Sequence, residues 1–61
     1  MINLEFWYNN TLEEVTEIDC FFYPNAGEYR GNLYINGKAV GDYTTKNSSE
    51  IEKIAPGIFG D

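Results

Sequence analysis

Residues 16–35 read TEIDCFFYPNAGEYRGNLYI, two alternating runs that meet at the turn-forming sequence Pro24-Asn25-Ala26-Gly27. If Tyr23 faces Glu28, the runs form a β-hairpin with a four-residue loop. One face, the inner face, then carries the pairs Phe22–Tyr29, Cys20–Gly31, Ile18–Leu33 and Thr16–Ile35. The other, the outer face, carries Phe21–Arg30, Asp19–Asn32 and Glu17–Tyr34. Since a one-residue slip would move an apolar set to the wrong face, the agreement of both alternations favours this pairing.

The N-terminal segment also alternates with a period of two, which predicts a first strand over residues 2–8. We expect residues 9–13 to connect it to a second strand over residues 15–23. A connection with an odd number of residues places Leu4 and Phe6 on the inner face.

An alternative is a helix over residues 11–18, with Thr11 as N-cap and Glu14 completing a capping box. The β-branched side chains of Val15, Thr16 and Ile18 favour the strand instead. The alternation also continues from this segment into Phe22.

The third predicted strand, residues 28–35, ends at Asn36-Gly37, which is typical of a two-residue type I′ turn. A fourth strand over residues 38–44 follows. This turn pairs Ile35 with Lys38, Leu33 with Val40 and Gly31 with Asp42 on the inner side, and Tyr34 with Ala39 and Arg30 with Tyr43 on the outer side.

After the fourth strand the period becomes helical: Asn47 can cap a short helix that presents Ile51 and Ile54 on one face and ends at Pro56-Gly57. The sequence therefore predicts one small α+β domain over residues 1–61. Its expected architecture is a four-stranded antiparallel β-meander with one short C-terminal helix packed on the inner face.

A chain of 61 residues with one cysteine and no histidine has few means of stabilising a small core. An intramolecular disulfide is excluded, and the composition argues against a zinc site. We expect Cys20 to be a buried small hydrophobe. A second chain, either a copy or another protein, is the remaining source of stability, so we predict a homo-oligomer or a protein partner.

Ten acidic and four basic side chains give a formal net charge of −6, which opposes binding to nucleic acid or anionic lipid. The sequence shows neither a signal peptide nor a membrane span, and we expect a cytoplasmic protein. Without histidine, the usual general base and metal ligand are missing, so we expect no enzymatic activity and no cofactor. The size and charge fit a bacterial or phage accessory protein.

The outer face is the predicted interaction face, because aromatic side chains rimmed by charges are typical of contact surfaces. Its residues are Trp7, Phe21, Tyr23, Arg30, Tyr34 and Tyr43. A symmetric dimer through this face or through an edge strand is the simplest version. Alternatively, the tail at Ile58-Phe59 covers part of the face, or Arg30 stacks on Phe21 and Tyr43.

The hairpin from Tyr29-Arg30-Gly31 to Tyr34-Ile35-Asn36-Gly37-Lys38, followed by Gly41-Asp42-Tyr43-Thr44-Thr45-Lys46 and a helix, is loosely similar to the arm-binding domains of phage-type integrases. The similarity covers about half the chain. It implies DNA binding by a sheet face, with Arg30, Tyr34, Lys38 and Tyr43 as contacts. The sequence departs from that family's basic face by placing Glu17, Asp19 and Glu28 beside Arg30.

Acidic residues concentrate in the predicted first hairpin: Glu5, Glu13, Glu14, Glu17 and Asp19. Alternate strand residues stand ~6.6 Å apart, a spacing that can imitate a row of phosphates. An inhibitor that mimics DNA is therefore a second alternative function. A solvated acidic face without a partner explains the same pattern.

Overall fold

The computed structural model describes residues 2–60, which form six strands and one helix. These elements are β1 (Glu5–Tyr8), β2 (Thr11–Glu14), β3 (Glu17–Ile18), β4 (Phe21–Tyr23), β5 (Glu28–Ile35), β6 (Lys38–Thr45) and α1 (Ser48–Ile54). The strands form two antiparallel sheets, a two-stranded sheet of β1 and β2 and a four-stranded sheet centred on β5. The α+β class is confirmed, but the single four-stranded meander packed with the helix is wrong.

The first hairpin is shorter than predicted and pairs different residues. Trp7 lies opposite Leu12, and the turn between them contains only Asn9 and Asn10. Both asparagines adopt positive φ, 52° and 62°, as a type I′ turn requires and as asparagine tolerates better than most residues. The predicted connection over residues 9–13 is therefore wrong, and so is the helical alternative.

The register of the central hairpin is confirmed over β3 and β4, whereas the predicted Thr16–Ile35 and Cys20–Gly31 pairs lie outside these strands. Its loop closes at the predicted Tyr23–Glu28 pair, and the pairs Phe22–Tyr29, Phe21–Arg30, Ile18–Leu33 and Glu17–Tyr34 all form. The predicted second strand is interrupted at residues 19–20, where the carbonyl of Asp19 lies over Gly31. Its two pieces, β3 and β4, share one edge of β5, since β6 occupies the other edge along nearly the whole strand.

The last hairpin begins in the predicted register at Asn36-Gly37 and then shifts by one residue at Val40. Beyond this bulge the pairs are Leu33–Gly41, Asn32–Asp42, Gly31–Tyr43 and Arg30–Thr44, so the predicted Leu33–Val40, Gly31–Asp42 and Arg30–Tyr43 pairs are wrong. The ring of Phe6 packs against Gly41, where a Cβ would lie 2.9 Å from the ring. Because the bulge shifts the register, Tyr43 lies on the inner side of the sheet.

The core is small, and its buried apolar side chains are Val15, Leu33, Ile51 and Ala55. Helix α1 begins as predicted: Asn47 Oδ1 accepts a hydrogen bond of 3.1 Å from the Ser49 amide. The N-terminal segment is tied to the end of the helix by a bond of 2.6 Å from the amide of residue 3 to the carbonyl of residue 54. Cys20 is free and only half-buried.

Candidate interaction surfaces

Strand β4 presents three aromatic side chains at the edge of the four-stranded sheet. Phe21, Phe22 and Tyr23 are 56%, 55% and 43% exposed. One edge of β4 pairs with β5, and the other edge pairs with no described strand. Residues 20–24 carry no charged side chain. This edge is thus both apolar and electrically neutral.

The outer side of β4 and the adjoining part of β5 carry Phe21, Tyr23 and Arg30 of the predicted interaction face. Arg30 lies 4.3 Å from the centre of the Tyr23 ring, and its Nε is 2.6 Å from Oε2 of Glu28. The alternative, in which Arg30 stacks on Phe21 and Tyr43, is wrong in its partners, because Arg30 stacks on Tyr23. A shallow groove of about 300 Å³ runs beside these residues, lined among others by Phe21, Asn32, Asp42 and Thr44.

The inner side of the same edge is also aromatic. The ring centres of Phe22 and Tyr29 are 4.8 Å apart, and those of Tyr29 and Phe59 are 5.8 Å apart. The C-terminal tail therefore reaches the inner side of the sheet, whereas one alternative placed it on the outer face. Phe22 and Phe59 remain substantially exposed, so the apolar surface continues around the edge of β4.

Two predicted contact residues, Tyr34 and Tyr43, have hydroxyls that are already bonded within the chain. The Tyr34 hydroxyl donates to Oδ2 of Asp19 at 2.6 Å, and Asn32 Nδ2 donates to the same oxygen at 3.0 Å. These bonds lower the pKa of Asp19, and the Tyr34–Asp19 bond raises the pKa of Tyr34. The Tyr43 hydroxyl donates to the Asp19 carbonyl.

The Tyr43 ring crosses β5 above Gly31, where a Cβ would lie 2.6 Å from the ring. Burial, followed by interaction with Cys20, raises the pKa of Tyr43. An aromatic ring that covers a glycine in a neighbouring strand is a known means of stabilising a sheet. The side chain of Tyr43 therefore stabilises the four-stranded sheet.

Trp7, the sixth predicted contact residue, lies on the separate two-stranded sheet. It is 70% exposed and its cross-strand neighbour Leu12 is 48% exposed. Glu5 and Glu14 form the next pair on the same side, so these four residues define a surface that we name the ribbon face. Its opposite side turns toward the rest of the chain, where the Phe6 ring packs at Gly41.

The structure separates the five carboxylates of the predicted acidic patch. Glu5 and Glu14 lie on the ribbon face, whereas Glu13 pairs with Phe6 on the opposite side of the ribbon. Glu17 and Asp19 belong to the four-stranded sheet and its interruption. The five side chains therefore do not form one row.

Leu12 and Phe22 are exposed apolar residues that lie outside the predicted interaction face. Leu12 could have been found by reading Asn9-Asn10 as a complete two-residue turn, which places residue 12 opposite Trp7. Phe22 was assigned to a covered inner face, but the short helix and tail leave this end of the sheet open.

Two further features of residues 2–60 concern metal binding and membrane insertion. Across residues 2–60, no three acidic or cysteine side chains lie close enough together to hold a metal ion. The helix found in that part of the chain is too short to cross a membrane. Comparisons of the chain with protein-family models, curated proteins and solved structures gave no match.

Proposed function

We propose that this protein is a non-enzymatic interaction module that forms a symmetric dimer by antiparallel pairing of β4 with β4 of a second copy. The observation that carries the proposal is the open edge of β4, with its three exposed aromatic side chains. Unpaired strand edges are ready templates for another strand, and exposed aromatic residues supply the contact area.

The backbone pattern supports Phe22 as the centre of this contact. The Asp19 amide donates to the Asn32 carbonyl at 3.0 Å, and antiparallel pairs alternate between bonded and non-bonded. Phe21 and Arg30 then form a hydrogen-bonded pair, and Phe22 lies at a position that makes no backbone hydrogen bond to β5. Its N–H and C=O therefore point away from β5, toward the open edge. Two copies related by a twofold axis at Phe22 can exchange two hydrogen bonds there.

Electrostatics favours the same strand. Two copies of a chain with a net charge of −6 repel each other, and repulsion is smallest where no charged side chains meet. Residues 20–24 are uncharged. Beside them, Arg30 is already paired with Glu28. The edge of β4 therefore brings two acidic chains together without placing like charges opposite one another.

Nucleic-acid binding has weaker support from the same contacts. Arg30 is neutralised by Glu28, and the hydroxyls of Tyr34 and Tyr43 donate to Asp19. Lys38 lies 5.5 Å from the ring centre of Tyr8, whose hydroxyl raises the pKa of Lys38. The acidic mimic of DNA has weaker support too, since its five carboxylates are separated.

Sedimentation equilibrium over a concentration series at moderate salt tests the dimer, using wild type, Phe22→Ala, Phe22→Pro and Trp7→Ala. We expect a wild-type dimer that weakens in Phe22→Ala. It should weaken further in Phe22→Pro, because proline also removes the outward N–H. Trp7→Ala is the matched control, an aromatic truncation on the other surface, and should leave the dimer unchanged.

Two results would overturn the proposal: a wild-type monomer at all concentrations, or a dimer that is lost in Trp7→Ala but retained in both Phe22 variants. Far-UV circular dichroism establishes that each variant is folded. A folded Phe22→Pro variant that dimerises as well as Phe22→Ala would exclude backbone pairing at this edge.

A further inference from the structure

The ribbon face carries an exposed apolar pair and an exposed pair of carboxylates. Trp7 and Leu12 form an exposed apolar pair, 70% and 48% accessible. Directly beside them, Glu5 faces Glu14 across the strands, and both side chains are exposed. The surface therefore has an apolar half and an anionic half at neighbouring positions of one ribbon.

Like charges directly opposite each other destabilise an antiparallel pair. Among residues 2–60, the ion pair within 4.0 Å is that between Arg30 and Glu28, so no lysine or arginine of this part of the chain relieves the Glu5–Glu14 repulsion. A cation from outside that lies between the two carboxylates would convert this repulsion into two attractions.

We propose that the ribbon face binds an extended segment of another protein in which an arginine is followed, two residues later, by an apolar residue. Alternate residues stand ~6.6 Å apart in any extended strand, so the two side chains match the spacing of the anionic and apolar pairs. The guanidinium donates to Glu5 and Glu14, and the apolar side chain covers Trp7 and Leu12. Arginine fits better than lysine, because its planar fork can donate to two carboxylates at once.

Charge complementarity selects a basic foreign segment over a second copy of this chain. The net charge of −6 attracts a cationic ligand and repels a copy. The one arginine of the chain, Arg30, is bonded to Glu28, and the residue two positions later is the polar Asn32. This inference is independent of the proposed dimer, since the ribbon face and β4 belong to different sheets.

The chain has a single tryptophan, so the fluorescence of Trp7 reports binding at this surface directly. The probe is a synthetic peptide with two Arg-Ser-Leu repeats. One control peptide carries neutral citrulline in place of each arginine, and another carries serine in place of each leucine. We expect a saturable blue shift with the first peptide, weaker binding of both controls, and weaker binding of the first peptide as salt rises.

Charge-matched variants locate the contact. Glu5→Gln and Glu14→Gln should each weaken binding about two- to fivefold, the range for an exposed ion pair. Glu50→Gln removes the same charge from an exposed position on α1 and should leave binding unchanged. All three substitutions are at exposed sites and should leave the far-UV circular dichroism spectrum as in wild type. Phe22→Pro should bind the peptide as wild type does, which separates this test from that of the dimer.

Three outcomes overturn the inference. The first is no response of Trp7 to the arginine peptide at any concentration tested. The second is equal binding of the citrulline peptide, which would remove the role of charge. The third is equal weakening by Glu50→Gln and Glu14→Gln, which would show attraction to the whole acidic chain and no site on the ribbon face.

Discussion

Replacing Gly31 with alanine should cost the protein a large share of its stability. A Cβ at this position would overlap the Asp19 carbonyl oxygen, which is a backbone atom, and would lie 2.6 Å from the Tyr43 ring. The ring cannot move away freely, because the Tyr43 hydroxyl donates to the same carbonyl. One added methyl group therefore forces apart β5, β6 and the segment that connects β3 to β4.

The loss of unfolding free energy in Gly31→Ala has two contributions. Overpacking by one carbon costs about 1–3 kcal/mol, and loss of the Tyr43–Asp19 hydrogen bond adds about 1 kcal/mol. The expected loss is about 2–4 kcal/mol. A domain of this length has a free energy of unfolding of roughly 3–9 kcal/mol, so Gly31→Ala should unfold at a much lower urea concentration than wild type.

Urea denaturation followed by far-UV circular dichroism measures this loss. Gly41→Ala is the matched control: its Cβ would lie 2.9 Å from the far end of the Phe6 ring, a side chain that can tilt away. We expect Gly41→Ala to lose about 1 kcal/mol. Tyr43→Phe keeps the ring and should lose only the contribution of the hydrogen bond, about 1 kcal/mol. If the free energy of unfolding of Gly31→Ala lies within about 0.5 kcal/mol of the wild-type value, the contact of Asp19 and Tyr43 over Gly31 does not require a glycine there.

Two further predictions concern Asp19 and the first turn. The lowered pKa of Asp19 means that its bonds to Tyr34 and Asn32 stabilise the fold above its unfolded value, 3.8, and are lost as the pH falls through the folded value. Urea titrations of wild type and Asp19→Asn should therefore differ most near neutral pH and converge in acid, and a constant difference would contradict this. Because Asn10 has φ 62°, Asn10→Ala should lose about 1 kcal/mol and Asn10→Gly almost none. A stabilising alanine in the same assay would argue against the turn.

Local sequence signals predicted the parts of the fold that depend on neighbouring residues. The Pro24–Gly27 loop, the Asn36-Gly37 turn and the Asn47 cap each involve hydrogen bonds or φ angles within a few residues. Their physical causes are present in the sequence itself. The central hairpin register was also predictable, because a slip would have exposed one apolar alternation and buried a polar one.

The bulge at Val40 could not be predicted in the same way. It lies next to Gly41, against which the ring of Phe6, from a different sheet, packs. Alternation along the last strand contains no signal of that contact. This one-residue shift moved Tyr43 from the predicted interaction face to the inner side, so an error in register became an error in the candidate site.

The misassigned first hairpin had a comparable effect on Trp7. A five-residue connection would have placed β1 beside the strand that carries Phe21 and so gathered the aromatic residues on one face. The two-residue Asn9-Asn10 turn instead folds β1 onto β2 and separates Trp7 from Phe21 by placing them in different sheets. Trp7, Phe21 and Tyr23 are exposed as expected, but their grouping depended on which strand pairs with β1.

Because Trp7 and Phe21 lie in different sheets, the acidic chain has two contact surfaces that differ in charge. The edge of β4 has exposed rings and no charge, and suits a copy of the same chain, whose charge would otherwise repel it. The ribbon face combines the exposed Trp7–Leu12 pair with two facing carboxylates, which suits the basic foreign segment proposed above. Because the two surfaces differ in charge and lie on different sheets, occupation of one does not remove the other. A dimer formed through β4 would then present two ribbon faces, and a partner with two basic segments would bind it more tightly than a partner with one.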